Sequence, residues 1–186
     1  FGCYLVVYHH VFYPLILSCC ARKIDLTLPK IKQRRYVKST KDGGLNRFSI
    51  IIPAYNEAKF IAEKIHNLCV LDYPDDKYEI ILLCDGCSDK TYQIANDTLT
   101  QLGCQNVNFQ VIKFNQNRGK VAVLKDGINN TNFENIILSD VSALLPVNAL
   151  LMLDAHFLDS SVGAVTGAYQ FAHKGSPGEQ KYWQYQ

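Results

Sequence analysis

Four short polar clusters hold the residues of this 186-residue chain that can do chemistry: "PAYNE" at 53–57, "DGCSD" at 85–89, "NRGK" at 117–120 and "DVS" at 140–142. Their carboxylates, Glu57, Asp85, Asp89 and Asp140, suit ribose hydroxyls, a base N–H or a divalent ion. Their cations, Arg118 and Lys120, suit phosphate, as do backbone N–H groups at helix starts. A metal–nucleotide carrying a sugar satisfies that mixture. Asp140 is the sharpest case, a lone carboxylate closing the apolar run "NIILS" just before a turn. If the run is a buried strand, the charge sits where the strand empties into a loop, and open α/β sheets keep their ligands there.

The elements that must position these clusters alternate. "FSIIIP" at 48–53, "YEIILLC" at 78–84, "VNFQVIKF" at 107–114, "ENIILS" at 134–139 and "VGAVTGAYQF" at 162–171 read as short strands rich in β-branched residues. Between the first two, "NEAKFIAEKIHNLCVL" brings Phe60, Ile61, Ile65, Leu68, Cys69 and the stem of Lys64 round at helical spacing. "SDKTYQIANDTLTQLG" is a second helix, with Ser88 as N-cap and Gly103 as stop. "GKVAVLKDGINN" is a third, and "PVNALLMLDAHFL" a fourth, opened by Pro146. Strands alternating with helices of this length imply βαβ crossovers and an open, mostly parallel sheet with helices on both faces. Each polar cluster follows a strand. The carboxyl ends of parallel strands share one edge, so four separated stretches converge on a single crevice.

Composition limits the partners. A net charge of +2 is too small to argue for nucleic acid, and the basic residues gather at 30–41 rather than along a face. Seven cysteines without a spacing framework point to reduced thiols. Cys84 and Cys87 lack the second pair or nearby histidines that zinc wants. Residues 1–20 carry no formal charge, and as a helix they would span roughly 30 Å, the thickness of a bilayer core. Arg22 and Lys23 follow directly, so a transmembrane helix over 1–21 is expected, with the remainder cytoplasmic. Residues 22–46 then form a basic juxtamembrane linker, and 47–186 the α/β domain. The chain opens on Phe1 and closes on "EQKYWQYQ", which reads as helix onset, so both the span and the domain are expected to be cut short.

Two common nucleotide motifs fail. "PAYNEAK" after the first strand contains no glycine, which excludes GxGxxG, and "NRGKVA" has the GK of a P-loop without its upstream glycine or following Ser/Thr. Instead, "FSIIIPAYNEAKFI", "EIILLCDGCSDKT", "NRGKVAVLKDGI" and "IILSDVSALLPVNAL" resemble, in order and spacing, the successive motifs of the family 2 glycosyltransferases, and "VGAVTGAYQF" resembles the strand that follows. The likeness covers 48–186. It implies the nucleotide-sugar-binding part of a GT-A fold, Rossmann-like, with a divalent ion, Mg²⁺ or Mn²⁺, helping the diphosphate leave. It implies further that Pro53, Ala54, Tyr55, Asn56 and Glu57 line the nucleoside pocket, that Asp85 contacts the base, and that Gly119 and Lys120 belong to the loop beside it. Asp140 takes the first position of the family's DxD motif and would hold the metal; Ser142 stands where the second aspartate belongs.

The resemblance also puts the acceptor site and the general base beyond Gln186, so the chain is expected to bind donor without completing turnover. The donor sugar and the acceptor stay unassigned. Two alternatives stay open. A nucleotidyltransferase would use a similar crevice and release pyrophosphate; a non-catalytic, membrane-anchored nucleotide-sugar-binding module would fit Ser142 and the missing base. Asp89 is expected to serve the helix N-terminus more than a ligand.

Overall fold

The computed structural model describes residues 7–21, 44–102 and 107–167. The chain divides into two compact units, Phe1–Lys32 and Gln33–Gln186. In the first, a π-helical turn, Tyr8–Phe12, runs into helix α1, Tyr13–Ala21. The Tyr13 N–H donates to the Tyr8 carbonyl, and Pro14, which has no N–H to give, sits where the wider turn hands over to the α-helix. Among the described residues no helix is long and apolar enough to cross a membrane. Residues 1–6 of the expected span and 22–43 of the expected linker lie outside the described residues.

The second unit is the expected α/β alternation. Strands β1 (Phe48–Ala54), β2 (Tyr78–Asp85), β3 (Asn108–Phe114) and β4 (Asn135–Leu138) form one sheet, ordered β3-β2-β1-β4, with every pairing parallel. Helices α2 (Ile61–Cys69), α3 (Thr91–Leu102) and α4 (Lys120–Asn129) make the three connections, and α5 (Ala149–His156) follows β4. The fifth expected strand does not form over 162–167, and the rest of that stretch lies outside the described residues. Helix α3 starts at Thr91, and the side chain that meets its first turn is Asp89 rather than Ser88, because the Asp89 carboxylate accepts from the Thr91 N–H and hydroxyl.

Alternation along the strands splits the core in two. Phe48, Ile50, Ile52, Ala54, Tyr78, Ile80, Leu82 and Cys84 face one layer with Ile61, Ile65 and Leu68 of α2, Ala95 of α3 and Leu150 of α5. Ile51, Ile81 and Leu83 face the other, where Val123 and Leu124 of α4 cover them. The sheet is therefore sandwiched, as a parallel sheet must be. Glu79, fully buried on the α4 side, accepts hydrogen bonds from the Ser49 hydroxyl (2.6 Å) and from Asn132 through its N–H (2.7 Å) and side-chain amide (2.6 Å). These bonds pin the crossover from α4 into β4.

Strand lengths create the crevice. β1 pairs with β2 over its whole length, Phe48 with Tyr78 through Ala54 with Cys84, whereas β4 pairs only from Phe48 with Asn135 to Ile51 with Leu138. The Ser139 N–H reaches the Ile51 carbonyl at 3.1 Å, and there the ladder ends. Backbone groups two residues apart point the same way, so the nitrogen of Pro53 points to the β4 flank, and it has no hydrogen to donate. A proline at that position stops the pairing and leaves the end of β1 open on one side. The strand order reverses between β1 and β4, which is the switch point at which such sheets bind ligands.

Candidate active site

Two adjoining cavities occupy that flank. The larger, of about 360 Å³, is lined by Pro53, Ala54, Tyr55, Glu57, Asp85, Asn117, Gly119, Lys120, Val123, Asp140, Val141 and Ser142. The smaller, of about 230 Å³, shares Pro53, Lys120 and Asp140 and adds Leu124, Leu138 and Ser139. Nine of the ten residues expected at the site from sequence stand in the lining of the larger cavity. The tenth, Asn56, does not. It adopts a left-handed conformation (φ 55°), which Asn tolerates, and its side-chain oxygen accepts from the Ser88 N–H (2.9 Å), the Ser88 hydroxyl (3.2 Å) and the Asp89 N–H (3.3 Å). Asn56 is a clasp between the first two loops.

Similar clasps run along the whole edge. Asp89 accepts from the Ala58 N–H at 3.0 Å as well as from Thr91, and the Thr91 hydroxyl in turn accepts from the Glu57 N–H at 2.8 Å. Burial alone would raise Asp89, but the hydrogen bonds from Thr91 and Ala58 outweigh it and hold the carboxyl below its usual value. Asp89 is thus structural, as its place before a helix implies.

Asp85, at the end of β2 and 3% exposed, spends both oxygens on the third loop. Oδ1 accepts from the Arg118 N–H and Oδ2 from the Gly119 N–H, each at 2.9 Å. The carboxylate edge that faces the cavity therefore belongs to a group already fixed by two charge-assisted bonds. Arg118 turns away. Its guanidinium lies 4.2 Å over the Phe114 ring and pairs with Asp126, so of the two cations expected at the site only Lys120 faces the crevice.

Lys120 opens helix α4, which has no side-chain cap at Gly119, and its Nζ meets Asp140 Oδ1 at 2.6 Å. Both side chains are about half exposed, at 59% and 47%. An ion pair that open to water contributes about 0–1 kcal/mol, so it breaks readily.

The residue that sequence reading undervalued is Lys64. It falls on the apolar stripe of α2 between Ile61 and Ile65, where sequence spacing calls only for its stem, and it is fully buried. Its ammonium donates to the Ser139 hydroxyl at 2.8 Å and to the Ala143 carbonyl, straddling the turn that carries Asp140. Burial pushes its pKa down to about 8, partly offset by the Asp140 carboxylate. One turn later on α2, Asn67 exchanges two hydrogen bonds with the Leu145 backbone, at 2.7 and 2.8 Å. A charged residue inside an apolar stripe, with no acid three or four residues away on its helix, is the signal that marks Lys64, since a buried ammonium must find acceptors elsewhere.

The donor set for a divalent ion is thin. Among the described residues no group of three or more His, Cys, Asp or Glu side chains is gathered for a metal. The DxD-like turn supplies one carboxylate, already paired with Lys120, and the Ser142 hydroxyl, so these residues do not make a dedicated cation site. The CxxC is structural: burial pushes the Cys84 thiol up to about 12, far from the thiolate that metal or redox work needs, and the Cys87 thiol donates to the Ala54 carbonyl. Cys84 and Cys87 are free, whereas Cys69 is disulfide-bonded, a departure from the reduced thiols expected throughout.

Gly86 explains why loops two and three lie so close. Its φ is +60°, and a Cβ there would overlap the backbone of Gln116 and Asn117. Gly119 has a similar φ, +87°, but open space around it. Gly86→Ala is therefore expected to destabilise the chain clearly more than Gly119→Ala, by at least about 1 kcal/mol beyond the shared left-handed strain. Urea unfolding of both variants checks this; equal midpoints would contradict the packing.

Comparison with known proteins follows the same outline. Residues 49–184 match Glycosyl transferase family 2. The poly-β-1,6-N-acetyl-D-glucosamine synthase of Staphylococcus epidermidis is 26% identical over 171 residues, covering 89% of this chain and 40% of the synthase. The chain thus spans about 40% of the length of the curated relatives it matches. Among solved structures, the mannosyltransferase PcManGT of Pyrobaculum calidifontis, in complex with GDP-Man and Mn²⁺, superposes with a TM-score of 0.59 at 23% identity, over 80% of this chain and 42% of that one. TarS of S. aureus, in complex with UDP, gives 0.53 at 23% identity, over 61% and 32%. At such identities the structural likeness establishes the fold, a GT-A-like parallel α/β sheet.

Proposed function

We propose, from the fact that this chain belongs to glycosyl transferase family 2, that the crevice beside the end of β1 binds a nucleoside-diphosphate sugar and presents it for transfer to an acceptor. One observation carries this reading: four loops, each following a parallel strand, line a single cavity with Pro53, Tyr55, Glu57, Asp85, Lys120 and Asp140. Tyr55, 52% exposed, offers an aromatic face to the nucleoside, with Pro53 and Ala54 as its apolar floor. Glu57 and Asp85 are the acceptors for ribose hydroxyls and base N–H groups. Lys120 and the uncapped start of α4 meet the diphosphate. Asp140 and Ser142 lie on the sugar side. The nucleotides named with the two solved structures, the sugar donor GDP-Man and the nucleoside diphosphate UDP, are of the class this arrangement suits. The divalent ion expected at Asp140 is not part of this proposal, because one carboxylate already paired with Lys120 and the Ser142 hydroxyl do not make a cation site.

Calorimetric titration with UDP, GDP and their sugar conjugates tests the reading. One nucleoside series is expected to bind, with diphosphate and sugar conjugate competing for a single site. Tyr55→Ala should weaken it by about tenfold, in line with roughly 1–3 kcal/mol for a base stacked on an aromatic. A site that instead selects a nucleoside triphosphate and releases pyrophosphate would make the protein a nucleotidyltransferase and sink the proposal.

The reading extends to a membrane-anchored enzyme. Its support is the charge-free stretch 1–20 followed by Arg22 and Lys23, which favours a spanning helix with the domain on the cytoplasmic side. Carbonate extraction of membranes from cells making the chain should leave it in the pellet; complete release into the supernatant would remove the anchor from the account.

A further inference from the structure

Asp140 and Lys120 face each other across the crevice at 2.6 Å, both about half exposed. Behind Asp140, the fully buried Lys64 ammonium grips the same turn through the Ser139 hydroxyl and the Ala143 carbonyl. The turn therefore brings together one carboxylate, the Ser142 hydroxyl and two ammonium groups. Its charge is positive before any ligand arrives.

A dication entering here meets a single carboxylate that is already paired, with a buried positive charge on the protein side of it. Mg²⁺ and Mn²⁺ take hard oxygens, commonly one or two carboxylates completed by substrate phosphates, and the one carboxylate of this turn is engaged by Lys120 before a ligand arrives. A diphosphate meets the reverse situation. Lys120 can leave a solvent-exposed pairing that stabilises little and donate to a phosphate oxygen, and it stands on the first turn of α4, whose positive end has no side-chain cap. The clasp of Asp85 on the Arg118 and Gly119 N–H groups fixes the backbone directly before Lys120, so only its side chain has to move.

This step rests on the reading of the crevice as a nucleotide-sugar site and deepens it. The geometry points to Lys120 as the cation that neutralises the donor diphosphate, exchanging Asp140 for it, so that donor binding does not require a divalent ion. Lys64 holds the turn on which the exchange takes place, and its fixed charge opposes a dication there.

The test is calorimetric titration of the chain with UDP and with GDP, in EDTA and in Mn²⁺, for the wild type and for Lys120→Met. Lys120 is exposed, so the variant should fold, and its thermal midpoint is measured alongside. The wild type is expected to bind one of the two nucleotides with affinities agreeing within about twofold in the two media. Lys120→Met should lose about tenfold or more in EDTA, the worth of one charge-assisted hydrogen bond, and Mn²⁺ should restore part of the loss because Asp140 is then free for the ion. A merely structural role for Lys120 predicts no such gain of metal dependence. Wild-type binding seen only in Mn²⁺ overturns the assignment and leaves the crevice reading standing, as does a Lys120→Met variant that binds like the wild type in EDTA. Binding of neither nucleotide in either medium overturns the crevice reading, and the assignment with it.

Discussion

The parallel direction of all four strands governs everything else in this domain. It forces each crossover through a helix and delivers the four polar loops to one edge of the sheet. A sheet of equal strands would close that edge with continuous pairing. Here β4 stops opposite Ile51 while β1 continues to Ala54, and Pro53 has no N–H with which to extend the ladder. The opening is thus a consequence of one short strand and one imino acid, and the loops have only to furnish it.

They furnish it with groups that are mostly spent on holding each other. Asn56, Asp89 and Thr91 tie the first loop to the second, Asp85 and Gly86 tie the second to the third, and Lys64 and Asn67 tie the fourth to helix α2. Cross-linking of this kind keeps the cavity shaped without a ligand, which lowers the ordering cost of binding. The contact between the third and fourth loops is softer, the exposed pair Lys120–Asp140. A rigid frame with a labile ion pair at its mouth suits a site that must exchange an internal anion for an incoming one.

The alternation of elements and the convergence of the clusters could be read from residue order, because apolar periodicity and strand-end polarity are local properties. Most elements differ only at their ends: α2 begins at Ile61, several residues after the polar stretch that reads as its start, and β4 is shorter than its apolar run, whereas the fifth strand does not form over 162–167. The roles of single charges were less legible. Asn56 and Arg118 belong to the right loops yet turn from the cavity, one to backbone N–H groups and the other to Asp126 and Phe114, partners that lie 8 to 33 residues away or on another element. Lys64 was hidden for the same reason. Its acceptors are about eighty residues ahead in sequence, at 139 and 143, and nothing on its own helix announces them. Of the three further lining residues, Asn117 lies in the third polar cluster, whereas Val123 and Val141 carry no chemical signal and follow from packing alone.

The central claim is that a nucleoside diphosphate occupies the flank between β1 and β4. Backbone amide shifts of the isotopically labelled chain, followed during titration with the nucleotide that binds, address it most directly. The account predicts that the large changes fall on Tyr55, Glu57, Gly119, Lys120, Asp140 and Ser142, with Glu79 and its partners at the opposite edge of the sheet unmoved. Changes concentrated at that opposite edge, or on the outer faces of α3 and α5, would contradict it.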